Sequence, residues 1–358
     1  NVQVAIVLLL YNVGNALTQP LFGRLADRVG PRWLVIGGVG WMVIFYSLAA
    51  LAPPWPALAA LTVAGLGSGA FHPTGTMVAS QASVSRRTQA TSIFFMAGQL
   101  GLFVGPVAAG ILLETFGRSG YIVLPLLALT AVGGAWKWLT AKKKAEEQAA
   151  ALPTSVGRTG SQKGVLYRRA LLIAIIILCT STISLSAITF APKLFTELGY
   201  SATYVGLLAG IFMLGSAVGG VAGGMLADRW NGRVVILLAT SAAIIPTFFY
   251  VYAPDLARLA LMLTAGFFIG MPHSILVIMV QQLLPGQRAM SSGLALGYMF
   301  FSGSLGVLLV GFFADQIGLA LALQLTAVLA IVAFTATLFL PAAGSQQSAV
   351  ADRLTAEQ

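Results

Sequence analysis

Two histidines, His72 and His273, stand in the middle of long apolar runs. Imidazole titrates near neutral pH, so a ring held away from bulk water can pass protons or hydrogen-bond a polar solute. Each has a proline beside it, Pro73 after His72 and Pro272 before His273. A proline inside a helix leaves backbone carbonyls unpaired, and bonding to these is the structural alternative for both rings. Two carboxylates, Asp27 and Asp228, lie in short polar segments rich in arginine, with Arg24, Arg28 and Arg32 around the first and Arg229 and Arg233 after the second. The chemistry there is ion pairing and hydrogen bonding to a helix start, where the dipole favours negative charge. Asn12, Asn15, Gln19, Gln99, Tyr204, Gln281, Gln282 and Tyr298 are polar groups in apolar surroundings. They suit either a cavity lining or bonds from helix to helix. Lys193, near the end of an apolar run, is the one cation placed to meet an anionic solute. Cys179 has no second thiol to pair with and reads as packing. No nucleophile–base pair, metal-ligand cluster or phosphate-binding loop is present in the pattern. The sequence therefore predicts no metal, no cofactor and no enzyme.

The segments that must position these groups are apolar. Of 358 residues, 58% are hydrophobic and 8% charged, against about 25% charged in a soluble domain. So few charges cannot cover a surface in water, and the lipid bilayer becomes the solvent. About 20 apolar residues cross its hydrocarbon core as a helix. Eleven such stretches run at 2–22, 33–52, 57–80, 90–113, 120–139, 169–190, 202–225, 233–252, 257–283, 290–313 and 319–340. The longest break, 141–168, opens on Lys142, Lys143 and Lys144 and continues through Pro, Thr, Ser and Gly without an apolar period. It reads as a flexible linker between bundles at 1–140 and 169–341. The end, 342–358, reads as a disordered polar tail.

A net charge of +10 invites a nucleic-acid reading, but the basic residues fall in short loops and the linker. Of 20 Lys and Arg, only Arg118, Lys193 and Arg258 lie on one side of the predicted membrane. The others share the opposite side, which the positive-inside rule makes cytoplasmic. Linker and tail are then cytoplasmic, and no nucleic-acid partner is expected.

The chain also repeats itself at an offset of 201. Gly23-x-Leu25-Ala26-Asp27-Arg28 matches Gly224-x-Leu226-Ala227-Asp228-Arg229, and Arg32 matches Arg233. His72 falls on His273, Gln81 on Gln282, Arg87 on Arg288, and Gly14, Gly65, Gly69, Gly105, Gly110 and Gly117 on glycines. Apolar matches are cheap here, whereas the only two histidines falling on each other is not. Two parallel halves predict one bundle rocking against the other about a central site. The helix at 169–190 maps ahead of residue 1, so the repeat predicts two pseudosymmetric six-helix bundles with the first helix missing and eleven helices present. An eleven-helix protein with unmatched halves is the alternative.

Gly23-Arg24-Leu25-Ala26-Asp27-Arg28-Val29-Gly30-Pro31-Arg32 resembles the loop motif of the major facilitator superfamily, G-x-L-x-D-R-x-G-x-R. Its second copy, Gly224 to Arg233, has Asn231 where the first has Gly30. Gly65-Leu66-Gly67-Ser68-Gly69-Ala70-Phe71-His72-Pro73-Thr74-Gly75, with Gln281-Gln282-Leu283-Leu284-Pro285-Gly286 and Ser292-Gly293-Leu294, resembles the fosmidomycin-resistance branch of bacterial inner-membrane exporters. Gly101-x-x-x-Gly105-Pro106-x-x-Ala109-Gly110 is similar to the antiporter motif of the fifth helix, with Ala109 in place of one glycine. The resemblance implies an all-α major facilitator fold. It further implies proton-coupled efflux of a small molecule or antibiotic by a monomer.

It also implies a conformational latch built from Gly23, Asp27, Arg28, Arg32 and Arg87 and, in the second copy, Gly224, Asp228, Arg229, Arg233 and Arg288. Asp27 would meet the helix start near Met290-Ser291-Ser292. The glycine pairs Gly65/Gly69 and Gly101/Gly105 are expected to pack helices closely. Candidates for the substrate or proton pathway are Asn12, Asn15, Gln19, His72, Gln99, Lys193, His273, Gln281 and Tyr298. A metabolite uptake permease and a non-transporting receptor or scaffold are the alternatives.

Overall fold

A computed structural model describes residues 2–83, 85–130, 132–134, 136, 163–284 and 286–341. The tail and most of the linker lie outside them, as do the side chains of Asn12, Pro106 and Gly110. Every regular element among the described residues is helical, as lipid demands of a chain whose backbone groups must bond within each span.

The helices are α1 Val2–Val29, α2 Pro31–Leu51, α3 Pro54–Ser80, α4 Arg87–Phe116, α5 Arg118–Gly134, α6 Lys163–Glu197, α7 Ala202–Arg229, α8 Gly232–Phe249, α9 Asp255–Gly270, α10 Pro272–Leu283, α11 Arg288–Ile317 and α12 Leu319–Leu338. The first turn of α5 is a 3-10 turn. α9 and α10 form one apolar stretch, which makes eleven helical segments among the described residues, and seven of these are long and apolar enough to cross a membrane. α6 starts at Lys163 and not at 169. Its first turns carry Tyr167 and Arg168 to the surface, so polarity concealed the start from the apolar pattern.

The offset of 201 recurs in the element boundaries. α4 maps onto α11 residue for residue, from Arg87–Phe116 to Arg288–Ile317, and α1 maps onto α7 within one residue. Gly117 and Gly318, each before the next helix of its half, both hold a positive φ, 65° and 88°. The halves differ at their prolines. α3 runs through Pro73 unbroken. Its counterpart stops at Gly270, turns at Met271 and restarts with Pro272 in the first turn of α10, where a missing N–H costs nothing.

The helices sort into two compact units. One holds α1 to α5 with Val277–Ser302, and the other holds α6 to α9, the start of α10, the end of α11 and α12. In the second, α7 and α9 meet backbone to backbone. A Cβ on Gly219 would strike the Phe267 backbone, and one on Gly270 would lie 2.6 Å from Ser216 Cα. Small residues replace the missing hydrophobic drive between helices in lipid by letting them approach closely.

Candidate functional site

The contact expected of Asp27 is present in the first unit. Asp27 lies in the last turn of α1, and α11 begins at Arg288. The two Asp27 carboxylate oxygens accept hydrogen bonds from the Ala289 and Met290 backbone N–H groups, each at 2.9 Å. These donors have no partner inside their own helix, and the helix dipole adds to the attraction. Gly23, one turn earlier, permits the approach, since a Cβ there would lie 2.8 Å from Met290 Cα. Further along, Gly293 lies against Gln19 and Pro20, and Gly297 against Ala16. Ala26 and Ala289 are buried in one small cluster with Leu34 and Met77. The clasp is therefore a polar bond at the end of a close helix crossing. Sequence placed its partner at Met290 to Ser292, and the contact falls one residue earlier, on Ala289 and Met290.

The arginines of the latch take separate roles. Arg32 lies over the Trp136 ring, 3.7 Å from its centroid. Arg233 donates from Nε to the Thr337 carbonyl at 3.2 Å and from a terminal nitrogen to the Leu338 carbonyl at 2.7 Å. Trp136 and Thr337 are themselves 201 residues apart, so both arginines secure the end of the equivalent helix, by different chemistry. Arg87 Nε donates to the Ser80 carbonyl at 3.2 Å and ties α4 to the end of α3. Arg28, Arg229 and Arg288 are exposed. Gly224 is buried and Asp228 half-buried, near the end of α7.

Among the pathway candidates the structure joins two pairs. Gln19 Nε2 donates to Asn15 Oδ1 at 3.2 Å within α1, both residues buried. Gln281 Nε2 donates to Ser292 Oγ at 2.8 Å, linking α10 to α11. The amide oxygens of Gln19, Gln99 and Gln281 are buried without a partner among the described residues. His72 is half-buried, and its ring meets Phe71 edge-on at 5.6 Å. His273, in the first turn of α10, and Tyr298, in α11, are half-buried too.

Two expectations are corrected. Lys193 is 60% exposed, with Glu197 at 3.8 Å one turn on, so it is not a lone cation. Among the described residues a Cβ on Gly101 or Gly105 meets nothing within 4 Å, so the close packing expected of this pair is not found there. Both line a cavity of about 1060 Å³ among α2, α3, α4 and α5.

One cluster escaped the sequence reading. Arg258, buried in α9, donates to Tyr204 Oη at 3.0 Å, to Asp255 Oδ1 at 2.9 Å and to the Ala253 carbonyl at 2.7 Å. It also lies 4.3 Å from the Phe195 ring centroid. Of the two readings open for Tyr204, a cavity lining or a bond from helix to helix, this contact is the second, joining α7 to α9. Asp255 three residues before Arg258 was the available signal.

A duplicated, all-helical, multi-span membrane protein with a carboxylate clasp between helices is the class these observations define. The family model of the Major Facilitator Superfamily matches residues 1–284 and 171–354, and the chain belongs to that family. It is a transporter, not an enzyme, as are the relatives it matches. It is 28% identical to the fosmidomycin resistance protein of Escherichia coli over 95% of this chain and 84% of that protein. It is 26% identical to the gentisate transporter of Corynebacterium glutamicum over 82% of this chain and 68% of that protein. The crystal structure of the Escherichia coli fucose:proton symporter FucP shares the fold, with a TM-score of 0.72 at 13% identity, covering 95% of this chain and 91% of that one.

Proposed function

We propose that the protein exports a small molecule of the fosmidomycin kind across the bacterial inner membrane in exchange for protons. The observation that carries a transport cycle is the Asp27 clasp. Two hydrogen bonds from a helix start to a carboxylate are a discrete contact that one state can hold and another release. Export is supported by the relative named for fosmidomycin resistance and by the Gly101, Gly105, Pro106 and Gly110 motif of α4. In this reading the halves at 1–140 and 169–341 rock against each other, the linker and tail face the cytoplasm, and the protein acts as a monomer in lipid. His72 and His273 are the groups for proton passage, with Asn15, Gln19, Gln99, Gln281 and Tyr298 as polar contacts for the solute. A metabolite uptake permease would use the same parts, and the relative named gentisate transporter supports testing it.

The test expresses the full-length protein in a bacterium stripped of its own efflux pumps and measures killing by fosmidomycin, beside Asp27→Asn. Resistance that Asp27→Asn reduces about tenfold, with equal protein in the membrane, is the expected result. One charge-assisted bond is worth roughly 1.5–3 kcal/mol, and the lower end of that range corresponds to about tenfold. Unchanged sensitivity removes the substrate, and increased sensitivity reverses the direction of transport.

A further inference from the structure

Gln19 and Gln281 each end in an amide oxygen that accepts no hydrogen bond among the described residues. Gln19 is 0% exposed and Gln281 3%. Both meet the same turn of α11. Gln281 donates from Nε2 to Ser292 Oγ at 2.8 Å, and the Gln19 backbone carbonyl lies against Gly293. Ser292 Oγ in turn donates to the Arg288 carbonyl at 2.8 Å, and Gln19 Nε2 donates to Asn15 Oδ1 at 3.2 Å. Pro20 adds another acceptor, because it has no N–H to return to the Ala16 carbonyl, which lies against Gly297 one turn along α11. A buried acceptor without a donor lowers stability and calls for an explanation. Packing does not supply one. At the offset of 201, Asn15, Gln19 and Gln281 correspond to Ser216, Gly220 and Ser80. Ser80 satisfies itself by donating to the Met77 carbonyl at 2.8 Å. Thr91, the counterpart of Ser292, repeats its bond by donating to the Arg87 carbonyl at 2.9 Å. The hydroxyl bond is therefore shared by the two copies of the repeat, and the amides are not.

We propose that Gln19 and Gln281 form a subsite for the hydrogen-bond donors of the solute, its hydroxyl or N–H groups, and not for an anionic group. The inference rests on the export reading above and names the part of the solute that these residues take. An amide oxygen accepts and has no proton to offer an ionised phosphonate. It does accept from an N-hydroxyl group, which fosmidomycin carries at the end opposite its phosphonate. The amides are also oriented for this task. Asn15 engages the nitrogen of Gln19 and Ser292 the nitrogen of Gln281, which leaves each oxygen as the free end. Gly293 and Gly297 close α11 onto α1 over this level, so a solute reaches the amides when α1 and α11 part. The Asp27 bonds hold the same crossing about two turns further along α1.

The test measures binding of radiolabelled fosmidomycin to the purified full-length protein and its displacement by two unlabelled compounds, fosmidomycin itself and its O-methyl ether. The ether keeps the phosphonate and loses the donor. The wild type is expected to bind fosmidomycin at least tenfold more tightly than the ether, since a site built to bond a hydroxyl rejects the analogue that lacks it. Gln281→Met and Gln19→Met are expected to bind the two compounds within about twofold of each other. Methionine keeps the length of the side chain and removes the acceptor, so a discrimination that is only steric survives it. The ratio of the two affinities is read within each protein, and a merely structural loss lowers both affinities without closing the gap. Should one variant fail to fold, the other and the wild-type ratio still decide. Equal binding of the two compounds by the wild type overturns the proposal and leaves the export reading standing. So does a tenfold preference that persists in the methionine variants, because the hydroxyl would then be read elsewhere. Binding of neither compound overturns the export of fosmidomycin and this proposal with it.

Discussion

The pair α1 with α3 and the pair α7 with α9 descend from one pattern, and they solve the same packing problem differently. In the second half Gly215, Gly219 and Gly223 present bare backbone to Leu263, Phe267 and Met271. In the first half Thr18 stands where Gly219 stands, and its hydroxyl, which donates to the Gly14 carbonyl at 2.7 Å, occupies the space a Cβ on Gly69 would need. Gly14 itself meets nothing within 4 Å among the described residues. Identical residues at repeat positions thus carry unequal duties, because the duty comes from the neighbouring helix and not from the glycine.

The largest effect that can break this comparison comes from alanine at the matched glycines. Gly215→Ala puts a methyl group into the Leu263 carbonyl and 2.9 Å from the Phe267 nitrogen. The neighbour is backbone and cannot yield, so overpacking is expected to cost about 1–3 kcal/mol or more. Gly14→Ala meets open space and is expected to be neutral, or stabilising by up to about 1 kcal/mol through helix propensity. Thermal unfolding in detergent measures both. Equal losses at the two positions would mean the halves pack alike.

A smaller effect separates the two arginines. Arg233 forks onto the Thr337 and Leu338 carbonyls, a geometry that lysine cannot reproduce. Arg32 lies over Trp136, and lysine retains part of that attraction. Arg233→Lys is therefore expected to lower stability by about 1 kcal/mol, and Arg32→Lys by less than half as much. Denaturant or thermal unfolding of the two proteins side by side decides it, and a larger loss at Arg32 would reverse the assignment.

The spans and the repeat were legible because they rest on length, hydropathy and rare residues. His72 with His273 and the paired Asp-Arg segments could not match at one offset by composition alone. The Asp27 contact was named to within a residue only through the resemblance of its loop motif, since the carboxylate and the Ala289 N–H stand 262 residues apart in sequence. What sequence could not carry was which neighbour each residue meets. Gly101 and Gly105 have the spacing of packing glycines, and only the empty space beside them reveals otherwise. Pro73 and Pro272 are the same residue type, yet only the second coincides with a break in its span. Lys193 with Glu197 was a readable pair at one-turn spacing. Within α9 only Asp255, three residues before Arg258, signals the cluster; Phe195, Tyr200 and Tyr204 come from outside α9, and no pattern within one helix announces them.

The comparison that reaches down to the smallest single effect tests the one defining position of the loop motif at which the two copies differ. Gly30 has φ 87° and ψ 156°, a region open essentially to glycine alone. Its counterpart Asn231 is extended at φ −141°, and its side chain caps α8 by accepting from the Arg233 N–H at 2.9 Å. The first copy thus turns on backbone freedom and the second on a capping side chain. Exchanging the residues should be asymmetric. Gly30→Asn forces a side chain into a strained conformation, at about 1–3 kcal/mol. Asn231→Gly, which makes the second motif match the first, gives up only the cap, and glycine at that position costs a few tenths of a kcal/mol (~0.3). Unfolding midpoints would show a clear loss for the first exchange and almost none for the second. If restoring glycine at 231 instead destabilised the protein as much as removing it at 30, the two turns would share one backbone solution, and their sequence difference would carry no structural meaning.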